Sequence, residues 1–144
     1  MSDAKTLVPE GYYPMPGSMG YESLTGPFYV KDLGERKFKY GFVSDHRHMN
    51  PNNVVHGGML NAFADHFIGH TVVHSTHRMC ATISLNADYV SGGKEAHFIQ
   101  GEAEVVRETR SMIFMRGTVF DDDKVILSVN GVWRLFEKFT PSVA

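Results

Sequence analysis

Cysteine is all but absent from this chain. Cys80 stands alone, so no intrachain disulfide can form, which agrees with a reducing compartment. Long apolar runs are missing too: nothing approaches the roughly eighteen consecutive apolar residues that a membrane-spanning helix needs. The opening Met1, Ser2, Asp3, Ala4, Lys5 lacks the basic stretch leading into an apolar one that marks a secretory signal. A cytoplasmic protein with no membrane partner is the expectation. Net charge is small as well, with 14 Lys and Arg against 16 Asp and Glu giving −2. A field that weak cannot hold a polyanion through counterion release, so no nucleic acid partner is expected.

What is present suits one globular domain. With 144 residues the chain can bury about two-thirds of its unfolded surface, and ten Phe within a 42% hydrophobic composition supply core volume. Residues 1–34 hold four of the six prolines, Pro9, Pro14, Pro16 and Pro27. They show no sustained periodicity, which predicts an irregular lead-in. Tyr12, Tyr13, Met15, Met19, Tyr21, Leu24 and Phe28 make it too apolar for a solvated tail, so it should pack on a single domain over 35–140.

From Lys37 the pattern alternates. Phe38, Tyr40 and Phe42 share one face, while Lys37 and Lys39 share the other, the period of a half-buried strand. A polar, histidine-bearing loop spans 44–55. Residues 57–74 then read as a helix apolar around most of its circumference, a pattern that predicts burial rather than an amphipathic surface helix. In the next run Ile83, Leu85, Ala87 and Tyr89 alternate with Thr82, Ser84, Asn86 and Asp88, predicting a strand of strict two-residue period. Further strands are predicted over about 97–107, 112–120 and 125–136. The short polar turns between them suit antiparallel hairpins and exclude parallel crossovers, which need a dozen or more residues. The whole fits an α+β fold in which one antiparallel sheet wraps around one buried helix.

The informative segment runs from Asn50 through His56, Gly57 and Gly58 to Asp65. Two glycines where a helix starts leave backbone N–H groups uncovered, and such a terminus can donate to a developing oxyanion. Asp65 falls inside the most apolar helix, where a buried carboxylate costs free energy unless a partner or a function holds it. Eight residues of helix separate Gly57 from Asp65, about 12 Å of rise, too far for both to touch one thioester carbonyl. If two copies of the helix lie antiparallel across a two-fold axis, Gly57 of one chain can approach Asp65 of the other.

This spacing resembles that of the PaaI-type hotdog acyl-CoA thioesterases. The strand that follows, with Asn86, Tyr89 and a glycine-bearing turn, is similar to theirs, and the likeness runs from about Phe28 to Phe136. The resemblance implies a hotdog fold and hydrolysis of an acyl-CoA to free acid and CoA without a cofactor or metal. It also implies a homo-oligomer, either a dimer or a dimer of dimers. Asp65 would be general base or nucleophile, and the partner subunit's Gly57 N–H would polarise the carbonyl. Asn50 and His56 would orient water or thioester, with the Thr82 hydroxyl beside the carboxylate. Gly58, Arg110 and Ser111 would bind substrate, the last two at the coenzyme A phosphates. Asn53 stands where the family has glycine, a place where Asn can adopt a left-handed backbone, and Thr109 replaces another glycine.

Rival readings attach to the histidines. His66, His70 and His74 recur every fourth residue and form a stripe of the kind that can hold zinc, but no HExxH is present and the stripe drifts on a 3.6-residue helix, so a polar seam near a dimer axis is the reading preferred over a metal site. His46 and His48 could open a metal motif, but no acid follows between Met49 and Val55. A hotdog dehydratase or hydratase pairing His48 or His56 with Asp65 and a non-catalytic acyl-CoA binder are the alternatives to a hydrolase.

Overall fold

The apolar periodicities resolve into one sheet and one long helix. A computed structural model describes residues 7–16 and 19–138 of the chain. In chain order the elements are β1 (Tyr13–Pro14), α1 (Tyr21–Thr25), β2 (Tyr29–Gly34), β3 (Lys37–Val43), α2 (Gly57–Thr76), β4 (Arg78–Tyr89), β5 (Phe98–Glu108), β6 (Met112–Asp121) and β7 (Lys124–Lys138). A 3-10 turn over His46–His48 interrupts the loop before α2.

The strands form a single sheet of order β1-β2-β3-β5-β6-β7-β4. Every pairing is antiparallel, as the short turns require. α2 carries the chain across one face, from β3 to β4 at the far edge, which is the hotdog arrangement. The lead-in differs from expectation. Instead of irregular chain it contributes β1 and β2 to the sheet and the short helix α1, and Met15, Phe28 and Val30 are buried in the common core. Its prolines hid this, because a two-residue edge strand has no period to read.

α2 does not bury its whole circumference in the single chain. Met59, Leu60, Phe63, Ala64, Phe67, Ile68, Thr71 and Val72 are buried, a stripe at helical spacing laid on the sheet. Two strand glycines admit it: a Cβ at Gly101 would lie 2.4 Å from the Phe67 ring, and one at Gly117 would lie 3.0 Å from Ile68. The opposite face carries Asp65, His66, Gly69, His70, Val73 and His74, none of which is fully buried. Hydropathy reads both faces as apolar because Ala62, Gly69 and Val73 dilute the polar side.

Candidate active site

β4 breaks the strict alternation expected of it. Thr82 pairs with Trp133 and Ser84 with Val132, so Ile83 is one residue too many and forms a β-bulge. A bulge re-aims side chains. Cys80 and Thr82 before it, and Leu85, Ala87 and Tyr89 after it, all turn toward α2 or the core, while Ile83 is 56% exposed. The Thr82 hydroxyl thereby reaches α2 and donates to Asp65 Oδ1 at 2.7 Å. The two residues expected together are together. Asp65 itself is exposed in the single chain rather than sunk in the core, since it sits on the face of α2 turned away from the buried stripe.

The loop before α2 is built on its own polar side chains. Asn50 Oδ1 accepts from the Asn52 and Val54 N–H groups at 2.9 and 3.2 Å, and Asn53 takes a left-handed φ of 62°, as an Asn in place of glycine allows. This leaves the Asn50 amide nitrogen as the end with no hydrogen bond among the described residues. His56 caps α2, its Nδ1 accepting from the Gly58 N–H at 2.8 Å, so neutral His56 carries its proton on Nε2. A Cβ on Gly58 would lie 2.9 Å from that Nδ1, so the cap needs the second glycine. Gly58 spends its N–H on the cap; the Gly57 N–H has no acceptor among the described residues. The Tyr89 ring covers Gly57, 2.8 Å from where a Cβ would stand.

Asp65, Thr82, Glu22, His66, Gly69, His70, Val73, Cys80 and Trp133 line one cleft of about 790 Å³, closed at one side by Met15 and Pro16. Burial pushes the Cys80 thiol up to about 11, which makes it a packing residue rather than a nucleophile at neutral pH. Arg110 and Ser111 sit exposed in the β5–β6 turn and do not line this cleft. Their carbonyls anchor the turn, Arg110 O accepting from Arg78 and Ser111 O from the Leu135 N–H.

Each histidine singled out by spacing has a separate occupation. His66 Nδ1 lies 3.3 Å from Glu22 Oε1. His70 Nδ1 meets the Tyr40 hydroxyl at 2.7 Å, and burial, helped by His74 and His66, depresses its pKa to about 3. The His74 ring stacks on His70 at 3.9 Å. His48 is buried, bridging the Asp45 N–H and the Thr25 carbonyl, so both of its ring nitrogens are engaged. Among the described residues, three potential ligand atoms gather instead at His97, Asp121 and Asp122. There Asp121 already accepts from the Lys94 N–H and contacts His97 Nδ1 at 2.6 Å.

Sequence reasoning missed Glu22 and Arg47. Arg47 donates to the Leu24 and Gly26 carbonyls and, with His48 on Thr25, fastens α1 so that Glu22 faces the cleft. No periodicity announces either residue.

An antiparallel sheet wrapped on one helix, with a carboxylate and a glycine helix start on that helix, defines the hotdog class. Residues 52–127, more than half of the chain, match the family model for the thioesterase superfamily. The chain belongs to that superfamily and is a thioester hydrolase. A Pseudomonas aeruginosa protein named "Putative esterase" is 25% identical over 130 residues, 89% of this chain and 97% of that one. The E. coli PaaI protein from the phenylacetic acid degradation operon superposes with a TM-score of 0.75 at 12% identity, over 83% of this chain and 86% of that one. A Bacillus halodurans protein solved with CoA gives 0.68 at 21%, over 76% of this chain and 74% of that one. No helix is long and apolar enough to cross a membrane among the described residues.

Proposed function

We propose that this chain hydrolyses acyl-coenzyme A thioesters at two composite sites of a homodimer, with Asp65 as the essential carboxylate. The observation that carries the reading is the pairing of an exposed Asp65, held by the Thr82 hydroxyl at 2.7 Å, with a Gly57 N–H that has no acceptor among the described residues. The CoA bound to the Bacillus halodurans relative supports the choice of thiol.

β4 supports the dimer. It is a twelve-residue edge strand with no neighbour on its outer side among the described residues, and Met79, Ile83 and Tyr89 are exposed along it. A long unprotected edge of that kind pairs with another strand. Tyr89 marks the position of Gly57, and Thr82 marks that of Asp65. Antiparallel pairing of two β4 strands centred on Asn86, with Ile83 bulged out of each, sets Tyr89 of one chain opposite Thr82 of the other on the same face, and with them the partner subunit's Gly57 near Asp65. A dimer of dimers would repeat this unit.

The chemistry conserves every atom. As general base, Asp65 takes a proton from water as the water oxygen bonds to the thioester carbon, and the partner subunit's Gly57 N–H steadies the oxyanion. Collapse breaks the carbon–sulfur bond, and the thiolate recovers the proton, leaving free acid and CoA. As nucleophile, Asp65 would form the carbon–oxygen bond itself as the carbon–sulfur bond breaks and CoA leaves as thiolate; water would then open the anhydride, restoring the carboxylate and releasing the free acid, with a proton from water going to the thiolate. His56 Nε2 and the Asn50 amide would orient water or thioester. Gly58 holds the helix start, and Arg110 and Ser111 would meet the CoA phosphates at the exposed turn. A dehydratase would pair a histidine with Asp65; His48 has both ring nitrogens engaged by the Asp45 N–H and the Thr25 carbonyl, and the match to the thioesterase superfamily favours hydrolysis with His56 in an orienting role.

Mixing two inactive variants tests the composite site. Proline suits the first turn of a helix, and His56, at φ −58° and ψ 134°, has the backbone that precedes one, so Gly57→Pro removes the donor; the Tyr89 ring, 2.8 Å from the added Cβ, must swing aside, and a wild-type circular dichroism spectrum verifies that α2 is kept. Co-refolding Gly57→Pro with Asp65→Asn should restore about a quarter of wild-type thiol release, because half the dimers carry one intact site of two. No recovery from verified mixed dimers contradicts sites shared between chains.

A further inference from the structure

We propose that Glu22 and His66 read a hydrogen-bond donor on the acyl chain, so that the enzyme favours hydroxy- or amino-substituted acyl-CoAs over plain alkanoyl ones. The inference rests on the acyl-CoA hydrolase reading and names the substrate class of the same cleft. The cleft is mostly apolar along its length, with Met15, Val73, Met79 and Trp133 on its walls. Of the polar residues on the same walls, Asp65 is bonded to Thr82 and His70 is bonded to Tyr40 and stacked on His74; the other polar contact there is His66 Nδ1 3.3 Å from Glu22 Oε1, with the side chains 30% and 36% exposed.

The contact biases the tautomer. A carboxylate can only accept, so Glu22 Oε1, 3.3 Å from Nδ1, draws the proton of neutral His66 to Nδ1 and leaves Nε2 as the lone pair. Burial lowers the His66 pKa, in keeping with the neutral ring. Glu22 Oε2 and His66 Nε2 have no further hydrogen bond among the described residues. Both free atoms are acceptors. A plain alkyl tail lying over them strips their water and returns nothing, whereas a hydroxyl or amino group donates to one or both. Sites built to pair with a substrate polar group discriminate strongly against the analogue that lacks it. A carboxylate-ended tail would face Glu22 and Asp65 and be repelled.

The pair is held in place. The His66 ring packs on buried Phe28 at 5.1 Å between centroids. Glu22 rides on α1, whose last residues are tied to the 3-10 turn through Arg47 on the Leu24 and Gly26 carbonyls and His48 on Thr25. Arg47 is itself fixed by Asp45 at 2.9 Å. Such second-layer support is what a specificity element requires, since a loose acceptor cannot reject by desolvation.

Binding measured in the Asp65→Asn background separates this inference from the hydrolase reading. Calorimetric titration would use straight-chain acyl-CoAs, their ω-hydroxy and ω-amino counterparts over a range of chain lengths, and the same series on Asp65→Asn, Glu22→Gln. The expected result is binding at least tenfold tighter for a donor-bearing chain at one or more lengths, with the preference reduced to near unity in the double variant. The hydroxy and amino arms show which donor fits better. Equal affinities at every length overturn the proposal, as does a preference that survives Glu22→Gln, or failure of every acyl-CoA to bind the folded protein. Hydrolysis by Asp65→Asn would instead overturn the catalytic role of Asp65 and leave the affinity ratio to stand on its own.

Discussion

The two faces of α2 divide the labour of the molecule. One face, from Met59 to Val72, is buried on the sheet and is packed closely enough that glycines are required opposite Phe67 and Ile68. The other holds Asp65, His66, His70 and His74 above a cleft. The packed face and the face proposed for the chemistry therefore occupy the same twenty residues, separated by rotation about the helix axis rather than by distance along the chain. A substitution should affect one or the other according to which face it alters.

The largest separation is expected at Phe67. Phe67→Ala leaves a cavity under the helix and should cost roughly 3–5 kcal/mol of unfolding free energy, read by urea denaturation. A cost below about 1 kcal/mol would mean that the packed face is not the source of stability. Gly101→Ala tests the same face from the sheet side. Its methyl cannot coexist with the Phe67 ring as placed, so a loss of about 1–3 kcal/mol is expected, with kcat per folded molecule little changed.

On the cleft face the order reverses. Thr82→Val removes the donor to Asp65 and should lower kcat about tenfold, in line with roughly 1.5 kcal/mol for a charge-assisted hydrogen bond, with little change in melting temperature. Equal loss of both would place Thr82 among the structural residues. The smallest effect is the pH dependence of the histidine seam. His70 is neutral in the fold, its pKa held down to about 3 chiefly by burial, and it binds a proton below about 6.5 when unfolded. Its contribution is present above that pH and is lost as pH falls toward about 3, roughly 1–2 kcal/mol by pH 5. Burial depresses His66 and His48 in the same direction. Thermal melts between pH 7 and 5 should fall less steeply for His70→Asn, and an unchanged slope would remove His70 from the account.

Much of this was legible in the residues. Alternation at Phe38, Tyr40 and Phe42 and the short turns after Tyr89 specify the strands, and the HGG start with Asp65 points to the cleft in which the chemistry is proposed. The missing parts have physical causes. β1 and α1 are too short for a period. The bulge at Ile83 leaves no compositional trace, so Thr82 read as lying on the face opposite Leu85. The two-sidedness of α2 was masked because Gly69, Ala62 and Val73 score as apolar on a face that lines a cleft. Contacts such as Glu22 with His66, or Arg47 with Leu24, join residues whose neighbourhood only the folded chain creates.

The most direct test of the whole account is thiol release from an acyl-CoA panel by wild-type and Asp65→Asn protein, with melting temperatures measured alongside. The account predicts wild-type turnover, a loss of about a thousandfold or more in the variant, and an unchanged melting temperature, because Asp65 lies on the exposed face. Turnover retained by the variant, or activity lost only together with the fold, would contradict it.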